Sequence, residues 1–373
     1  MQPMKIGIVG CGMISDAYFR AAKKFLLLTV AACSDALPER AAHQGEVYGV
    51  DHLSYPELLA RDDLELIVNL TPPQQHARVT LDTLNAGKHA YAEKPLAVNA
   101  ADADRIMALA VRRERRVGCA PDTFLGAGQQ TARKLIDDGW IGKPLAGTAM
   151  VMGRGPERWP QAPFFFDRGA GPMLDLGPYY LTALVNLLGP AQSVTAVTAQ
   201  FDAYRTFGPE VSPVYQDKYR PFDPYPVRVA THQTGIIRFH CGAIITMIAS
   251  FDVHRHSHVP IEIYGSQGTI QVPDPNTFGG PVRLFRPETG VWEEMAMPFH
   301  YQEESRSLGV AEMAGAIRRG RPHRANGELA RHVLELMLAF EVSNHRGGTV
   351  ELHTSCVRPE ALTPGGEVGL RSE

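Results

Sequence analysis

The chain has 373 residues, a formal net charge of −3 and a pI of about 6.5, with 44% hydrophobic and 21% charged residues. This is ordinary globular composition, enough for two domains and a substantial core. It carries no basic footprint for nucleic acid and no apolar run of the roughly 18 residues that a bilayer demands. The densest positive stretch, Arg112-Arg113-Glu114-Arg115-Arg116, includes a glutamate and reads as the polar end of a helix. Five scattered cysteines without a C-x-x-C pair fit buried thiols in a reducing compartment better than disulfides or zinc. No signal-peptide pattern opens the chain, so a soluble cytoplasmic protein is expected.

The first third alternates strand-like and helix-like stretches. Apolar β runs are read at 5–9, ending in Gly10, at 28–33, closed by Ser34-Asp35, and at 64–70, closed by Thr71-Pro72-Pro73. Shorter runs follow at 89–92 and 116–119, and helical patterns fill the gaps at 16–26, 38–48, 74–86 and 100–113. Near-continuous apolar strands alternating with helices predict a parallel sheet covered on both faces, with right-handed crossovers. Near Pro121 the rhythm changes. One helix at 128–138 is ended by Gly139, and strand-like runs follow at 145–152, 193–201, 234–240, 243–250, 260–264, 269–272 and 282–285. Strands in succession predict a large, mostly antiparallel sheet in a second, α+β domain. Cys241-Gly242 and Ser266-Gln267-Gly268 read as hairpin connections. Helices at 305–318 and 328–344 close the chain, with Asn326 as N-cap of the latter. The stretch 204–228, rich in proline and aromatics, reads as a surface loop, the alternative being an insertion that packs on a neighbour or rims a cleft.

Between the first strand and its helix stands Gly10-Cys11-Gly12-Met13-Ile14-Ser15, a G-x-G-x-x-small loop. Its first glycine permits the tight turn, its second lets a pyrophosphate approach the backbone, and its third position needs a small residue for helix–strand packing. Amides of the following helix N-terminus then face the phosphates. The strand–loop–helix context and an acid, Asp35, at the end of the next strand make this a dinucleotide site in a Rossmann-type domain. A carboxylate at Asp35 accepts from ribose hydroxyls and repels a 2′-phosphate, so NAD is expected and NADP is the less favoured cofactor. Asp35 can also cap the helix that follows.

Glu93-Lys94-Pro95 comes just past the run 89–92. A lysine at a strand end, held by proline, points a cation at whatever lies above the sheet. Beside a nicotinamide, that suggests hydride chemistry on an alcohol or carbonyl.

With Thr71-Pro72-Pro73-Gln74-Gln75-His76, with 169–179 (GAGPMLDLGPY) and with 263–269 (IYGSQGT), these motifs resemble, in order and spacing, the glucose–fructose oxidoreductase / inositol dehydrogenase (Gfo/Idh/MocA) family along nearly the whole chain. The resemblance implies a two-domain dehydrogenase of sugars, polyols or related alcohols. The NAD-binding Rossmann domain would span 1–122, and an α+β substrate-binding and oligomerisation domain with an open-faced sheet would span 123–373. It implies Lys94 at the nicotinamide and the reacting oxygen, where an ammonium stabilises developing alkoxide charge. It implies Thr71, Pro72, His76 and Glu93 beside the cofactor, with Gly10, Gly12, Met13, Ile14 and Asp35. The family's D-x-G-x-H stretch is here Asp175-Leu176-Gly177-Pro178-Tyr179, with tyrosine replacing histidine. Glucose–fructose oxidoreductase and the dimeric dihydrodiol dehydrogenases are similar in using tyrosine there. On one helix Asp175 and Tyr179 would share a face, with Pro178 kinking or starting that helix. A phenol beside a lysine can serve as general acid or base, and either Tyr179 or Lys94 can carry the proton.

Further candidates for the substrate wall are Trp159, Phe166, Tyr180 and His256. His254, His256 and His258 alternate along a presumed strand, which favours substrate lining or a wet sheet face over a metal; no metal is expected. A sheet with one bare face predicts a homodimer or homotetramer. The reading is thus an NAD-dependent oxidoreductase acting on CH–OH groups of a sugar or polyol. The rivals are a trans-dihydrodiol or aldose 1-dehydrogenase activity, and a non-catalytic NAD-binding sensor, which would be expected to lose Lys94.

Overall fold

Each apolar run of the first third is followed by a helical stretch that returns the chain to the strands' starting edge, so neighbouring strands must run parallel. The computed structural model describes residues 2–365. In it β1 (Met4–Val9), α1 (Ser15–Ala22), β2 (Leu28–Ser34), α2 (Pro38–Tyr48), β3 (Asp51–His52), α3 (Tyr55–Ala60), β4 (Leu66–Asn69), α4 (Pro73–Asn85), β5 (His89–Ala92), α5 (Ala100–Arg113) and β6 (Val117–Cys119) follow one another. The sheet order is β3-β2-β1-β4-β5-β6, with every pair parallel. The order reverses between β1 and β4, which opens a crevice above their carboxyl ends. The sequence reading lacks β3 and α3. A two-residue edge strand is too short to show a period, and the start of α3 is marked only by its Ser54/Glu57 capping box. The first helix also stops at Ala22, short of the expected 26.

The second half comprises α6 (Ala127–Asp137), β7 (Pro144–Met152), α7 (Ala162–Phe165), α8 (Pro172–Asp175), α9 (Gly177–Leu188), β8 (Ala191–Ala199), β9 (Tyr204–Thr206), β10 (Pro224–Pro226), β11 (His232–Phe239), β12 (Ile244–Ser250), β13 (Ile261–Gly265), β14 (Thr269–Val272), β15 (Arg283–Phe285), β16 (Trp292–Glu294), α10 (Leu308–Arg318), α11 (Gly327–Arg346) and β17 (Val350–Glu351). Nine of these strands form one sheet, ordered β16-β15-β14-β13-β7-β12-β11-β8-β17. Only β7 and β12 pair in parallel; the other pairs are antiparallel. Both expected hairpins form, and Gly242 turns the first at φ +93. Asn326 caps α11 by accepting from the Leu329 N–H at 2.8 Å.

Helices α6, α9 and α11 cover one face of this sheet. All twelve residues of α9 are buried, so it lacks the polar stripe that would have betrayed it in the sequence. The other face is bare. A row runs across it from Thr195 through Ile236, Thr246, Thr148, Glu262 and Gln271 to Arg283. Ile236 and Val197 on this face are 51% and 64% exposed.

The proline- and aromatic-rich stretch is not a plain loop. It folds back as the β9–β10 ribbon over a small core of its own, where Phe207, Tyr225 and Val227 meet Phe166 and Phe251. Arg205 staples it to Glu157 and Asp252. The histidine run 254–258 is a correction in the other sense: it is an exposed connection between β12 and β13, not a strand, so its three histidines share no sheet face. No group of three or more potential metal ligands lies there or elsewhere among the described residues. The chain finally returns to the first sheet. Cys119 N–H donates to the Ala325 carbonyl at 3.0 Å, Gly118 bridges to Asn326, and α10 and α11 pack on β6. No helix among the described residues is long and apolar enough to cross a membrane.

Candidate active site

Gly10 turns the chain out of β1 at φ +100, and a Cβ there would come within 2.6 Å of the Leu70 carbonyl carbon, so only glycine fits. A Cβ on Gly12 would meet nothing within 4 Å: this backbone faces open space, as close approach of a phosphate requires. Ser15 supplies the third small residue. It is fully buried, and its hydroxyl donates to the Gly12 carbonyl at 2.6 Å, closing the first turn of α1. Met13 is exposed on the loop and Ile14 half-buried. The Asp35 carboxylate accepts from the Cys11 N–H at 2.7 Å and from the Leu37 N–H at 2.9 Å. It therefore braces the loop and the turn after β2 together, beside the place where a ribose would lie. An open glycine cradle, a helix N-terminus and a carboxylate fit a dinucleotide.

Across the crevice, buried Asn69 at the end of β4 accepts from both the N–H (3.2 Å) and the hydroxyl (2.6 Å) of Thr71, fixing the turn into Pro72 and α4. His76, expected beside the cofactor, has both ring nitrogens engaged within the protein. Its ring is buried, with Nδ1 2.6 Å from the Pro95 carbonyl and Nε2 2.7 Å from the Thr71 carbonyl. It is a strut between the Thr71 turn and the Glu93-Lys94-Pro95 turn. Burial pushes its pKa down against the pull of those carbonyls.

Glu93 is likewise committed to the scaffold. One carboxylate oxygen accepts from the Tyr18 hydroxyl of α1 at 2.8 Å, the other from the Lys94 N–H at 2.9 Å. Lys94 then leaves the carboxyl end of β5 through a cis peptide to Pro95. Its Nζ donates to the carbonyl of Asp175 at 2.7 Å and to its carboxylate at 2.9 Å, and lies 5.2 Å from the centre of the Tyr179 ring. Burial pulls the Lys94 pKa down, but Asp175, with Tyr179 and Glu93, outweighs it, and the net shift is upward. The ammonium is a fixed positive charge at neutral pH.

Asp175 and Tyr179 do not lie on one helix. Asp175 ends α8, the chain breaks at Leu176, and Tyr179 sits in the first turn of α9. The break still brings both onto Lys94. Burial raises the Tyr179 pKa; the positive charges of Lys94 and of Arg306, a residue that sequence reasoning missed, oppose it. Arg306 precedes α10 by two residues, inside the stretch read as plain helix, where no motif marked it.

The remaining candidates separate. Tyr180 is buried, its pKa raised by burial and by nearby Asp274. Trp159 is exposed and packs edge-on against Phe165. Phe166 is fully buried against Tyr225 and Phe251, so it is core and cannot touch a substrate. His256 stacks on His258 in the exposed connection.

Comparison with known proteins agrees with this geometry. Residues 4–120 match the model of an oxidoreductase family with an NAD-binding Rossmann fold, and residues 129–271 match the GFO/IDH/MocA C-terminal domain. An inositol 2-dehydrogenase of Salmonella paratyphi B is 35% identical over 40% of this chain; the match spans only 45% of that relative's length. A dTDP-3,4-didehydro-2,6-dideoxy-α-D-glucose 3-reductase of Saccharopolyspora spinosa is 28% identical over 86% of this chain and 89% of its own. The aldose–aldose oxidoreductase of Caulobacter crescentus has the same fold, with a TM-score of 0.77 at 22% identity over 94% of this chain and 100% of its own. With both halves of the family pattern matched in order, and the glycine cradle and the Lys94 cluster in place, the chain belongs to the GFO/IDH/MocA family of NAD-binding oxidoreductases.

Proposed function

We propose that the protein is an NAD-dependent oxidoreductase that interconverts a hydroxyl and a carbonyl on a sugar, polyol or sugar derivative. The observation that carries this is the Lys94–Asp175–Tyr179 cluster at the carboxyl end of the parallel sheet, next to the dinucleotide loop. NAD held by Gly10, Gly12 and Asp35 supplies the hydride acceptor or, reduced, the donor. Lys94 has three N–H donors and spends two on Asp175, which leaves one for the substrate oxygen. There it stabilises negative charge as alkoxide character develops. Because its pKa is raised, Lys94 keeps its proton, and the transfer falls to Tyr179. Below its raised pKa Tyr179 is a phenol, ready to protonate the oxygen in carbonyl reduction. In alcohol oxidation the phenolate takes the hydroxyl proton, so that direction speeds up as pH rises. The names of the relatives, a polyol dehydrogenase and a nucleotide-sugar reductase, support the substrate class. The bare sheet face with Ile236 and Val197 supports pairing of two copies across it. The test is a panel of inositols, aldoses, polyols and trans-dihydrodiols assayed for NADH formation, with Lys94→Met as the control. Turnover of a polyol or aldose that is lost in the control is expected. Turnover of the dihydrodiols alone, or of nothing while NAD binds, overturns the reading.

A further inference from the structure

The Lys94 turn stands where the parallel sheet stops supplying partners. Just past β5, the Glu93 N–H still donates to the Asn69 carbonyl of β4 at 2.8 Å. The next amide, that of Lys94, donates instead to the Glu93 carboxylate at 2.9 Å, and the residue after it is proline, which has no N–H to give. A side-chain oxygen therefore sets the backbone from which the ammonium reaches Asp175. Glu93 is buried and, as a carboxylate, can only accept, so it needs donors. The donor on its other oxygen is the Tyr18 hydroxyl, at 2.8 Å. Tyr18 is 1% exposed and is held in turn by the Ser307 hydroxyl, which donates to its carbonyl at 3.1 Å. It stands in α1, the helix that opens on the glycine loop. One rigid element thus faces the dinucleotide with its first turn and grips the lysine turn through Tyr18. On the far side of that turn, His76 holds the Pro95 carbonyl at 2.6 Å.

We propose that Tyr18 is a positioning residue for Lys94: its hydroxyl holds the Glu93 carboxylate against the Lys94 N–H and so keeps the ammonium where one donor is free for the reacting oxygen. This rests on the reading of Lys94 as the group at that oxygen. Nζ sits 2.7 and 2.9 Å from its two Asp175 oxygens, and such bonds are lost within about half an ångström of lengthening. Without the phenol, one oxygen of a buried carboxylate is left unsatisfied. The carboxylate turns to relieve it, and the Lys94 N–H loses or follows its acceptor. Tyr18 itself neither gains nor loses a proton.

The experiment compares the wild type with Tyr18→Phe, Glu93→Gln, the Tyr18→Phe/Glu93→Gln double variant, Lys94→Met and Tyr48→Phe. Tyr18→Phe removes the hydroxyl and keeps the ring. Glu93→Gln leaves one acceptor oxygen for two donors, so it breaks the same chain of bonds with the phenol still present, and it carries the test should Tyr18→Phe fail to fold. Tyr48→Phe is the control: it removes a phenol that donates to the Asp16 carboxylate of the same helix. Amide hydrogen exchange followed by mass spectrometry across residues 93–96, without substrate, reads the turn. Steady-state kinetics on the sugar or polyol turned over best in the panel read the ammonium, and a thermal melt confirms that each variant is folded. Tyr18→Phe is expected to speed exchange across 93–96 about tenfold or more. It should lower kcat about ten- to a hundredfold, with KM for substrate and NAD nearly unchanged, because a misplaced catalytic group costs turnover and not binding. In the double variant kcat should fall no further than in Glu93→Gln alone, since both changes break one chain. Tyr48→Phe should leave exchange across 93–96 and kcat at wild-type values. A lower melting temperature with kcat unchanged, losses that add in the double variant, a loss confined to KM for NAD, or an equal loss in Tyr48→Phe overturns the role of Tyr18. If Lys94→Met is silent while Tyr18→Phe changes neither exchange nor kcat, Tyr18 alone is misassigned. If Lys94→Met keeps full rate, the reading of Lys94 falls, and the positioning role of Tyr18 with it.

Discussion

Replacing Lys94 by Met removes the ammonium and keeps a stem of similar length against the Tyr179 ring. The structure sets the size of the effect. Two of the three Nζ donors hold Asp175, at 2.7 and 2.9 Å, so one remains for the reacting oxygen. Loss of a single fixed donor to a developing oxyanion costs roughly 10²–10³ in kcat, or about 3–4 kcal/mol of barrier. The substitution also strands the Asp175 carboxylate. The two side chains are 15% and 18% exposed, so water relieves part of that burden, and a loss of about 1–3 kcal/mol of stability is expected rather than the full cost of a broken buried pair. The assay pairs steady-state turnover with a fluorescence titration of NAD and a thermal melt. A hundredfold fall in kcat with NAD affinity within a fewfold of wild type is the expected result. Turnover within threefold of wild type would refute the reasoning, as would a loss that appears wholly in NAD binding.

The other predictions probe cofactor choice, buried charge and assembly. Asp35→Ser should raise the efficiency with NADP relative to NAD about tenfold or more, because a carboxylate near a 2′-phosphate costs on the order of 1–4 kcal/mol; NAD affinity should also fall, since Asp35 braces Cys11 and Leu37. A wild type already more efficient with NADP rules this out. Burial lifts the Asp122 pKa to about 6 from an ordinary 3.8. A pKa raised by folding stabilises the fold below about 4, and that contribution is lost as pH climbs to 6, leaving a cost of up to about 3 kcal/mol at pH 7. One oxygen of Asp122 accepts both the Ser307 and Gly309 N–H groups, so Asp122→Asn can keep both bonds, raise the melting temperature at pH 7 and flatten its change between pH 4 and 6; a lower melting temperature at pH 7 would contradict this. Ile236→Asp should convert a dimer or tetramer to monomer in sedimentation without lowering secondary-structure content, whereas a monomeric wild type would end the assembly proposal.

The parallel sheet was readable because its strands are buried on both faces and appear as unbroken apolar runs, each closed by glycine, proline or an acid. The dinucleotide loop was readable for the same local reason: Gly10 must be glycine where a Cβ would strike Leu70. Lys94, Asp175 and Tyr179 were found from motifs, and the structure brings them together, though through a break at Leu176 and not along one helical face. What stayed hidden has no local signature. Helix α9 is apolar all round, so it shows no period, and β3 is two residues long. Phe166 looked like a sugar platform because an aromatic run near a glycine-rich turn suits a cleft and a core equally; only the folded 204–228 stretch decides for the core. Arg306 could not be found at all. Tyr179, whose pKa its charge opposes, lies more than a hundred residues away, and the backbone beside Arg306 turns through a positive φ at Ser307 that no serine advertises.

That last case shows how the site is built. The candidate site residues come from separate stretches of the chain, and Lys94 is not aimed by its own segment alone. Lys94 depends on Glu93, Glu93 on Tyr18 in α1, and Tyr18 lends its carbonyl to Ser307 in front of α10. The Thr71 and Pro95 turns are bridged by His76, whose ring nitrogens are both spent on carbonyls. Tyr18, His76, Glu93 and Asp122 are therefore buried polar residues that hold the turns around the site. Burial without partners would cost each of them dearly, and each has hydrogen-bond partners. A residue expected beside the cofactor can also serve as a strut, as His76 does. A residue with no motif can bring its charge to bear on a site tyrosine, as Arg306 does on Tyr179. The distinction lies in which polar atoms remain unspent after the scaffold is satisfied: on Lys94, one N–H of three.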